Sequence, residues 1–204
     1  MALHHRLTAT SFPGFIESAS AYASLAVFYN PVFIKKHYPD AVTAFAFAQN
    51  IIESIARETG DVNAVQTKPI ITLPVYYNGE DLDWVASVHQ LTTTEVIQLH
   101  NEVIYHVFMN GFLPGFAYMG TVNEKIITAR KDKPRLRVAA GSVGIAGAQT
   151  GIYPIDSPGG WQIIGRTPLQ LFNKIKADPC LIKAGDRVQF FAIDKNEFDQ
   201  LNEH

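Results

Sequence analysis

The sequence predicts an α+β protein in two parts, a small N-terminal α/β sandwich domain followed by a Gly-rich β-barrel. Its 204 residues are 47% hydrophobic and 18% charged, which is typical of a folded globular chain. Ten of the 14 glycines lie between Gly111 and Gly165, where short apolar runs alternate with turn residues, as in barrels and sandwiches. The helical patterns all precede that region. We therefore expect a boundary near residues 61–68 and domains at 1–66 and 67–204.

A strand and a long helix are predicted in the N-terminal domain. The run Tyr22–Tyr29 is apolar and aromatic, and the turn pair Asn30-Pro31 ends it. Between Pro39 and Thr59, apolar residues recur at helical spacing, and Gly60 stands where a C-cap glycine belongs. This pattern predicts an amphipathic helix that lies on a sheet.

The second domain begins with a strand and two short helices and continues as strands. Pro69–Tyr77 is predicted as a strand broken or bent at Pro74, because an interior proline gives up a ladder hydrogen bond. Helices are predicted at Asp81–His89 and from Thr93 to about Asn101, the second capped by Thr92 or Thr93. The strands expected after them are Val103–Met109, Lys125–Thr128, Val138–Ala148, Gln162–Ile164 and Arg187–Ile193.

Charge and cysteine content exclude several classes of function. With 17 basic and 19 acidic residues the net charge is −2, so the chain lacks the basic excess of a general nucleic-acid binder. Its single cysteine, Cys180, excludes an internal disulfide and a Cys-rich zinc site, and no HExxH spacing occurs, so no metal site is expected. No apolar run approaches the roughly 18 residues of a membrane span, and no signal-peptide core precedes the first strand. We expect a cytoplasmic protein with no membrane partner.

Two segments carry charge or glycine patterns that suit an anion. The segment 141–151, GSVGIAGAQTG, has the glycine density of a phosphate loop but lacks the Lys-Ser/Thr of a P-loop, so tight barrel packing is the alternative. Arg166 follows an apolar strand and is predicted either to contact an anionic ligand or to pair with an acid such as Asp156. A basic run, interpreted either as a solvated face or as an anion site, consists of Lys125, Arg130, Lys131, Lys133, Arg135 and Arg137.

Single residues of other types leave alternatives open. His100 is either a general acid or base near the barrel mouth or a hydrogen-bonded structural histidine. Tyr153 and Trp161 either wall a pocket or belong to the barrel core. Ser142 lies outside the GxSxG context of a nucleophile elbow, so serine hydrolase chemistry is not expected. Glu80, Asp81 and Asp83 precede a predicted helix, so they are interpreted as favouring its positive end, with catalysis as the alternative.

Three long segments carry a resemblance to a known family. They are GFLPGFAYMG at 111–120, KPRLRVAAGSVGIAGAQTGIYP at 133–154 and SPGGWQIIGRTPLQLF at 157–172. These segments closely resemble the signature of the KipI / allophanate hydrolase subunit 1 family, which corresponds to carboxyltransferase subdomains C and D. The likeness extends from about Phe12 to Phe198. Members of the family include the B-type subunit of 5-oxoprolinase and inhibitors of a sporulation histidine kinase.

The resemblance implies that the barrel is cyclophilin-like and that the chain works in a complex. It implies the B-type subunit of an ATP-dependent 5-oxoprolinase, which opens 5-oxoproline to L-glutamate together with two partners. These are a second carboxyltransferase-like subunit (the C type) and a hydrolase-like subunit (the A type). On this interpretation the chain alone is inactive, and ATP is a co-substrate of the complex. The alternative that the family offers is an inhibitor of a sensor histidine kinase that acts through the barrel surface.

The resemblance also directs attention to particular residues and to the N-terminus. Because phosphoryl transfer needs cationic or dipolar stabilisation, the candidates for binding substrate or nucleotide are Arg166, Gln149, Arg135, His100, Tyr153, Gly141, Ser142 and Gly144. Gln149 is expected to end a strand before a turn at Gly151 and to line the functional cleft with Arg166; no catalytic residue is indicated. Family members usually begin with roughly 25 to 35 further residues, so the N-terminal sheet is expected to lack its first strand and to have an unpaired edge.

Overall fold

The computed structural model describes residues 2–21, 24–59 and 69–202. The chain divides into two compact units, one ending at Thr67 and the other beginning at Lys68. The predicted boundary at 61–68 and the predicted cap at Gly60 lie outside the described residues.

The N-terminal unit is a two-stranded antiparallel hairpin whose core is shared with helices. Asn30 ends the second strand and its side chain accepts a hydrogen bond from the Phe33 amide, so the Asn-Pro pair also starts a helix. The long helix begins after Thr43, whose hydroxyl accepts a hydrogen bond from the Ala46 amide, and not at Pro39. The elements of this unit are α1 (Ala2–Ala9), β1 (Phe15–Ser20), β2 (Leu25–Tyr29), α2 (Pro31–His37) and α3 (Ala44–Thr59). Its buried core consists of Leu7, Phe12, Ile34, Ala44 and Ala48, with partly buried residues of the hairpin and α3 packed against them.

The C-terminal unit is built around a seven-stranded sheet. Two neighbouring strands, Ile70–Val75 and Arg187–Ala192, run parallel, and the other neighbouring strands of the sheet are antiparallel. The elements are β3 (Ile70–Val75), α4 (Leu82–Val88), α5 (Thr93–Asn101), β4 (Tyr105–Asn110), β5 (Ala117–Gly120), a 3-10 turn (Glu124–Ile126), β6 (Arg135–Val138), β7 (Ser142–Ala146), β8 (Gln149–Ile152), β9 (Ser157–Gly159), β10 (Gln162–Arg166), β11 (Arg187–Ala192) and α6 (Lys195–Asn202). The sheet order is β10-β7-β8-β5-β4-β11-β3, and β6 pairs with β9 in a separate ribbon.

The sheet is nearly closed into a barrel. Just beyond β3, Tyr76 exchanges two backbone hydrogen bonds with Arg166 of β10, each 2.9 Å long, so the two edge strands of the sheet meet. Aliphatic and aromatic side chains such as Tyr105, Met119 and Ile145 fill the interior. The predicted fold class, a small α/β domain followed by a β-barrel, is confirmed.

Two local predictions are wrong. Lys125–Thr128 is not a strand: the Asn123 side chain accepts a hydrogen bond from the Lys125 amide and starts a 3-10 turn instead. Gln149 opens strand β8 rather than ending the preceding strand, because Ala146 pairs directly with Gln149 and the turn falls on Gly147-Ala148, where Gly147 has a φ of +60°. Gly151 lies within β8, not at a turn.

Candidate binding site in the barrel

A cavity of 400 Å³ lies beside a second cluster of buried side chains that includes Phe116, Tyr153 and Trp161, apart from the cluster that fills the barrel interior. It collects residues from the loop between β4 and β5, from β5, from the basic segment before β6, from the β7–β8 hairpin and from the segment around β9. The residues that line it are Phe112, Phe116, Tyr118, Ala129, Arg130, Ala146, Gly147, Gln149, Tyr153, Gly159 and Trp161.

Aromatic rings form the walls of this cavity. Phe116 is 1% exposed and contacts Tyr153 and Trp161 edge to face, with ring centroids 5.3 Å apart in both pairs. A side chain at position 159 would collide with the Tyr153 hydroxyl, so Gly159 is what allows the Tyr153 ring to pack there. Tyr153 and Trp161 were expected either to wall a pocket or to belong to the core. They do both, because they are buried and also line the cavity.

Arg130 and Gln149 present available polar groups to this cavity. No carboxylate of the described chain pairs with the exposed Arg130, and no hydrogen bond from a described residue occupies the side-chain amide of Gln149. Burial raises the pKa of Tyr118, and the positive charge of Arg130 partly opposes this increase. Burial likewise raises the pKa of Tyr153, and a backbone hydrogen bond at Trp161 and the charge of Arg130 partly oppose this increase. Both hydroxyls therefore remain neutral at physiological pH beside an available guanidinium.

Three of the six cations in the basic run, Lys131, Arg135 and Arg137, are already paired with carboxylates. Asp81 accepts hydrogen bonds from Lys131 Nζ at 2.8 Å, from the Ile163 amide at 2.7 Å and from Arg135. Arg135 also bonds to Glu80 at 2.6 Å and donates to the Trp161 carbonyl at 3.0 Å. The predicted binding candidate Arg135 thus belongs to an ion cluster, centred on the buried carboxylate of Asp81, that braces the barrel.

The protonation of Asp81 reflects this cluster. Burial by itself raises the pKa of the Asp81 carboxyl, but the hydrogen bonds from Lys131, Ile163 and Arg135 outweigh it and hold the pKa below the ordinary value. Asp81 immediately precedes α4, as predicted, yet its side chain makes no capping hydrogen bond. Its carboxylate links the segment before α4 to the basic segment and to β10.

Arg166 lies in a different groove from Gln149, although the two were predicted to share one cleft. This groove, of 340 Å³, is also lined by Arg137, Ser142 and Glu80. Arg166 Nε donates to the Ala140 carbonyl at 2.9 Å. Arg137, not Arg166, pairs with Asp156, at 2.6 Å. The salt bridge to Asp156 that was predicted as one alternative for Arg166 is therefore made by Arg137.

The glycine-rich segment 141–151 is strand and turn, as the packing alternative predicted. Gly141 has a φ of +82°, and its amide donates to the Tyr153 carbonyl at 2.7 Å. The Ser142 amide donates to the Ala139 carbonyl at 3.2 Å, and Gly144 packs in β7 against Trp161. The amides of Gly141 and Ser142 are engaged in the fold and are not arranged as a phosphate cradle.

His100 is a buried structural group and does not lie at the barrel mouth. Its exposed fraction is 0%, its Nδ1 lies 2.7 Å from the Tyr77 hydroxyl and its Nε2 lies 2.9 Å from the Thr150 hydroxyl. Burial lowers its pKa to about 3, so the ring is neutral at physiological pH. The structural alternative for this histidine fits its position in α5.

The cavity is suited to binding rather than to self-sufficient catalysis. A guanidinium recognises a carboxylate or phosphate through two parallel hydrogen bonds, a primary amide donates and accepts, and aromatic walls exclude water. Its lining includes no carboxylate, histidine or cysteine among the described residues. Across the part of the chain that the structure describes, no group of His, Cys, Asp and Glu is placed to hold a metal ion, and no helix has the length and apolar character of a membrane span.

Sequence reasoning missed the central residues of this site. Arg130 was one of six cations in a run, and Phe112, Phe116 and Tyr118 were only part of a motif. No signal in the sequence distinguishes Arg130 from its neighbour Lys131, because the pairing of Lys131 with Asp81 arises only in the folded barrel.

Comparisons with known proteins agree with this fold. The family of the carboxyltransferase domain, subdomain C and D, matches residues 1–182. The B-type 5-oxoprolinase subunit of Bacillus subtilis is 43% identical over 196 residues, which cover 94% of this chain and 81% of that protein.

Solved structures show the same architecture within longer chains. The crystal structure of TTHA0988 matches 95% of this chain with a TM-score of 0.75 and 32% identity, and this chain spans only 36% of it. The urea amidolyase of K. lactis matches 99% of this chain with a TM-score of 0.72, over 14% of its own length; at 17% identity this likeness shows the fold alone. Because the family match covers most of the sequence, this chain belongs to the carboxyltransferase-domain family, subdomains C and D.

Proposed function

We propose that this chain is the B-type subunit of an ATP-dependent 5-oxoprolinase, which opens 5-oxoproline to L-glutamate. Its partners on this proposal are the hydrolase-like A-type and the carboxyltransferase-like C-type subunits. The relatives that carry the name of the B-type 5-oxoprolinase subunit support the assignment. The observation that carries it is the aromatic cavity in which the side chains of Arg130 and Gln149 have no hydrogen-bond or ion-pair partner among the described residues.

The substrate suits this cavity in size and chemistry. 5-oxoproline is a small, nearly flat lactam ring that bears one carboxylate. The carboxylate matches the Arg130 guanidinium, and the lactam N–H and C=O match the Gln149 amide. The ring faces would lie against Phe116, Tyr118 and Trp161. A volume of 400 Å³ holds such a ligand with room for a reacting group.

The missing parts of the reaction explain the need for partners. Opening a stable lactam is uphill, and activation by phosphoryl transfer from ATP makes it feasible. That step needs positive charge at the transferring group and a positioned water, while the described lining of this cavity supplies a single cation and no general base. We assign ATP binding and water activation to the assembled complex, in which this chain presents the lactam.

Reconstitution tests the proposal. The purified chain alone should show no ATP hydrolysis dependent on 5-oxoproline, and addition of both partners should produce glutamate, ADP and phosphate in equal amounts. Arg130→Ala should abolish most of the activity of the complex while the three proteins still assemble. An inactive complete complex would remove the proposal and leave inhibition of a histidine kinase as the function to test. Turnover by the isolated chain would also contradict it.

A further inference from the structure

Phe112, at the rim of the aromatic cavity, has a backbone conformation that its residue type does not favour. Its φ is +69°, and the other described non-glycine residue with a positive φ is Gln90. A bulky side chain in this left-handed region costs conformational free energy and persists only where the surroundings impose it.

The loop that contains Phe112 imposes this conformation. Gly111 donates to the Phe116 carbonyl at 3.1 Å, Leu113 to the Gly111 carbonyl at 2.8 Å, and Phe116 to the Leu113 carbonyl at 3.0 Å. Gly115, with a φ of +82°, packs so closely against Phe172 that a side chain there would collide with it. The turn between β4 and β5 is therefore tightly defined, and a glycine at position 112 would adopt its geometry without strain.

Packing of the Phe112 ring does not offset the conformational free energy that the left-handed backbone costs. The side chain is 65% exposed, and its one ring contact among the described residues is an edge-to-face approach to Phe116 with centroids 5.9 Å apart. An exposed phenyl group gains little from burial in the free protein. The ring nevertheless lines the cavity beside Phe116 and Tyr118. Strained residues of this kind concentrate at ligand clamps, where their position serves binding.

We propose that Phe112 is a substrate-binding clamp. Its ring closes over the free face of a small cyclic amide whose carboxylate is held by Arg130, and burial of both apolar surfaces favours the bound state. This inference rests on the proposed function, because it takes the lactam as the occupant of the cavity. It adds a binding residue that selects a compact, flat ring over an open-chain amino acid.

Phe112→Gly separates a clamp from a structural residue. Glycine relieves the strain and removes the ring, so the melting temperature should be equal to or higher than that of the wild type. The KM of the reconstituted complex for 5-oxoproline should rise about tenfold, with kcat nearly unchanged, because the lost contact holds the ground state and the transition state alike. Phe112→Leu, which keeps an apolar side chain, should give an intermediate KM.

Gln90→Gly is the matched control. Gln90 has a φ of +56° and lies in the turn between α4 and α5, outside the cavity lining. Its replacement should also leave the melting temperature equal or higher, but the KM should stay at the wild-type value.

The outcomes distinguish the clamp from the function on which it rests. A wild-type complex that does not turn over 5-oxoproline removes the proposed function and the clamp together. An active wild-type complex with an unchanged KM in Phe112→Gly overturns the clamp alone. A clear drop in melting temperature without a change in KM, or weaker assembly of the complex with unchanged calorimetric binding of 5-oxoproline, also overturns it, since these results assign Phe112 to folding or to a partner surface.

Discussion

Arg130 and Arg135 come from one basic segment but occupy opposite environments. Arg135 is largely buried, bonds to Glu80 and Asp81 and donates to the Trp161 carbonyl. Arg130, five residues earlier, is exposed at the cavity and has no carboxylate partner among the described residues. Whether an arginine of this segment stabilises the fold or stays available for a ligand therefore depends on whether the folded barrel places a carboxylate beside it. The saturated cluster holds the fold, and the unpaired guanidinium remains available for a ligand.

The largest expected effect comes from removing the centre of the saturated cluster. Asp81→Ala leaves Arg135 and Lys131 without their shared carboxylate and the Ile163 amide without its acceptor. Breaking a buried ion pair of this kind costs about 3–5 kcal/mol of unfolding free energy, which urea denaturation measures.

Asp156→Ala is a matched control for that variant. Asp156 also accepts from an arginine and a backbone amide, those of Arg137 and Ala140, but its side chain is 45% exposed against 6% for Asp81. Its loss should change the unfolding free energy little. Equal destabilisation by the two variants would show that the burial of the carboxylate does not determine how much each cluster stabilises the protein.

His100 extends the comparison to a neutral buried group. Its pKa is about 3 in the folded protein and about 6.5 when unfolded. Between these values the unfolded chain binds more protons, so stability is fully present above pH 6.5 and falls as the pH drops towards 3. The wild type should lose up to about 1.4 kcal/mol per pH unit more than His100→Gln in that window. Parallel stability curves for the two proteins would disprove the burial of a neutral ring.

Lysine substitution at the two arginines should produce opposite effects. Arg130→Lys keeps the charge but loses the bidentate fork, so the activity of the reconstituted complex should fall about tenfold or more, equivalent to about 1.4 kcal/mol, with an unchanged melting temperature. Arg135→Lys should lower the melting temperature and leave the KM for 5-oxoproline near the wild-type value. If both variants lose activity only in proportion to their loss of stability, Arg130 does not bind a ligand and the two arginines do not differ in role.

Arg166→Lys should have the smallest effect. Arg166 lies outside the aromatic cavity, and the bond from its Nε to the Ala140 carbonyl is a single hydrogen bond at an exposed position. We expect the activity of the complex to change by less than about threefold, a free-energy difference below about 1 kcal/mol. A tenfold loss at constant melting temperature would instead assign the Arg166 groove to a ligand.

The sequence by itself determined the two-part architecture and nine of the 18 described elements. Helical spacing identified α3 and α5, the Thr92 capping box began α5 where predicted, and glycine density marked the barrel. These features are local: caps, turns and periodicity act over a few residues. Local patterns also sufficed to favour packing over a phosphate loop for residues 141–151.

The tertiary structure alone decided which polar residues are free. Asp81 and Arg135 are 54 residues apart in sequence, Gln149 and Arg166 face different cavities, and His100 is enclosed between Tyr77 and Thr150. Neither composition nor spacing encodes these pairings, because they depend on the order in which strands join across the barrel. Closure of the sheet brought Asp81 to Arg135 and left Arg130 without a described carboxylate partner beside the aromatic cavity.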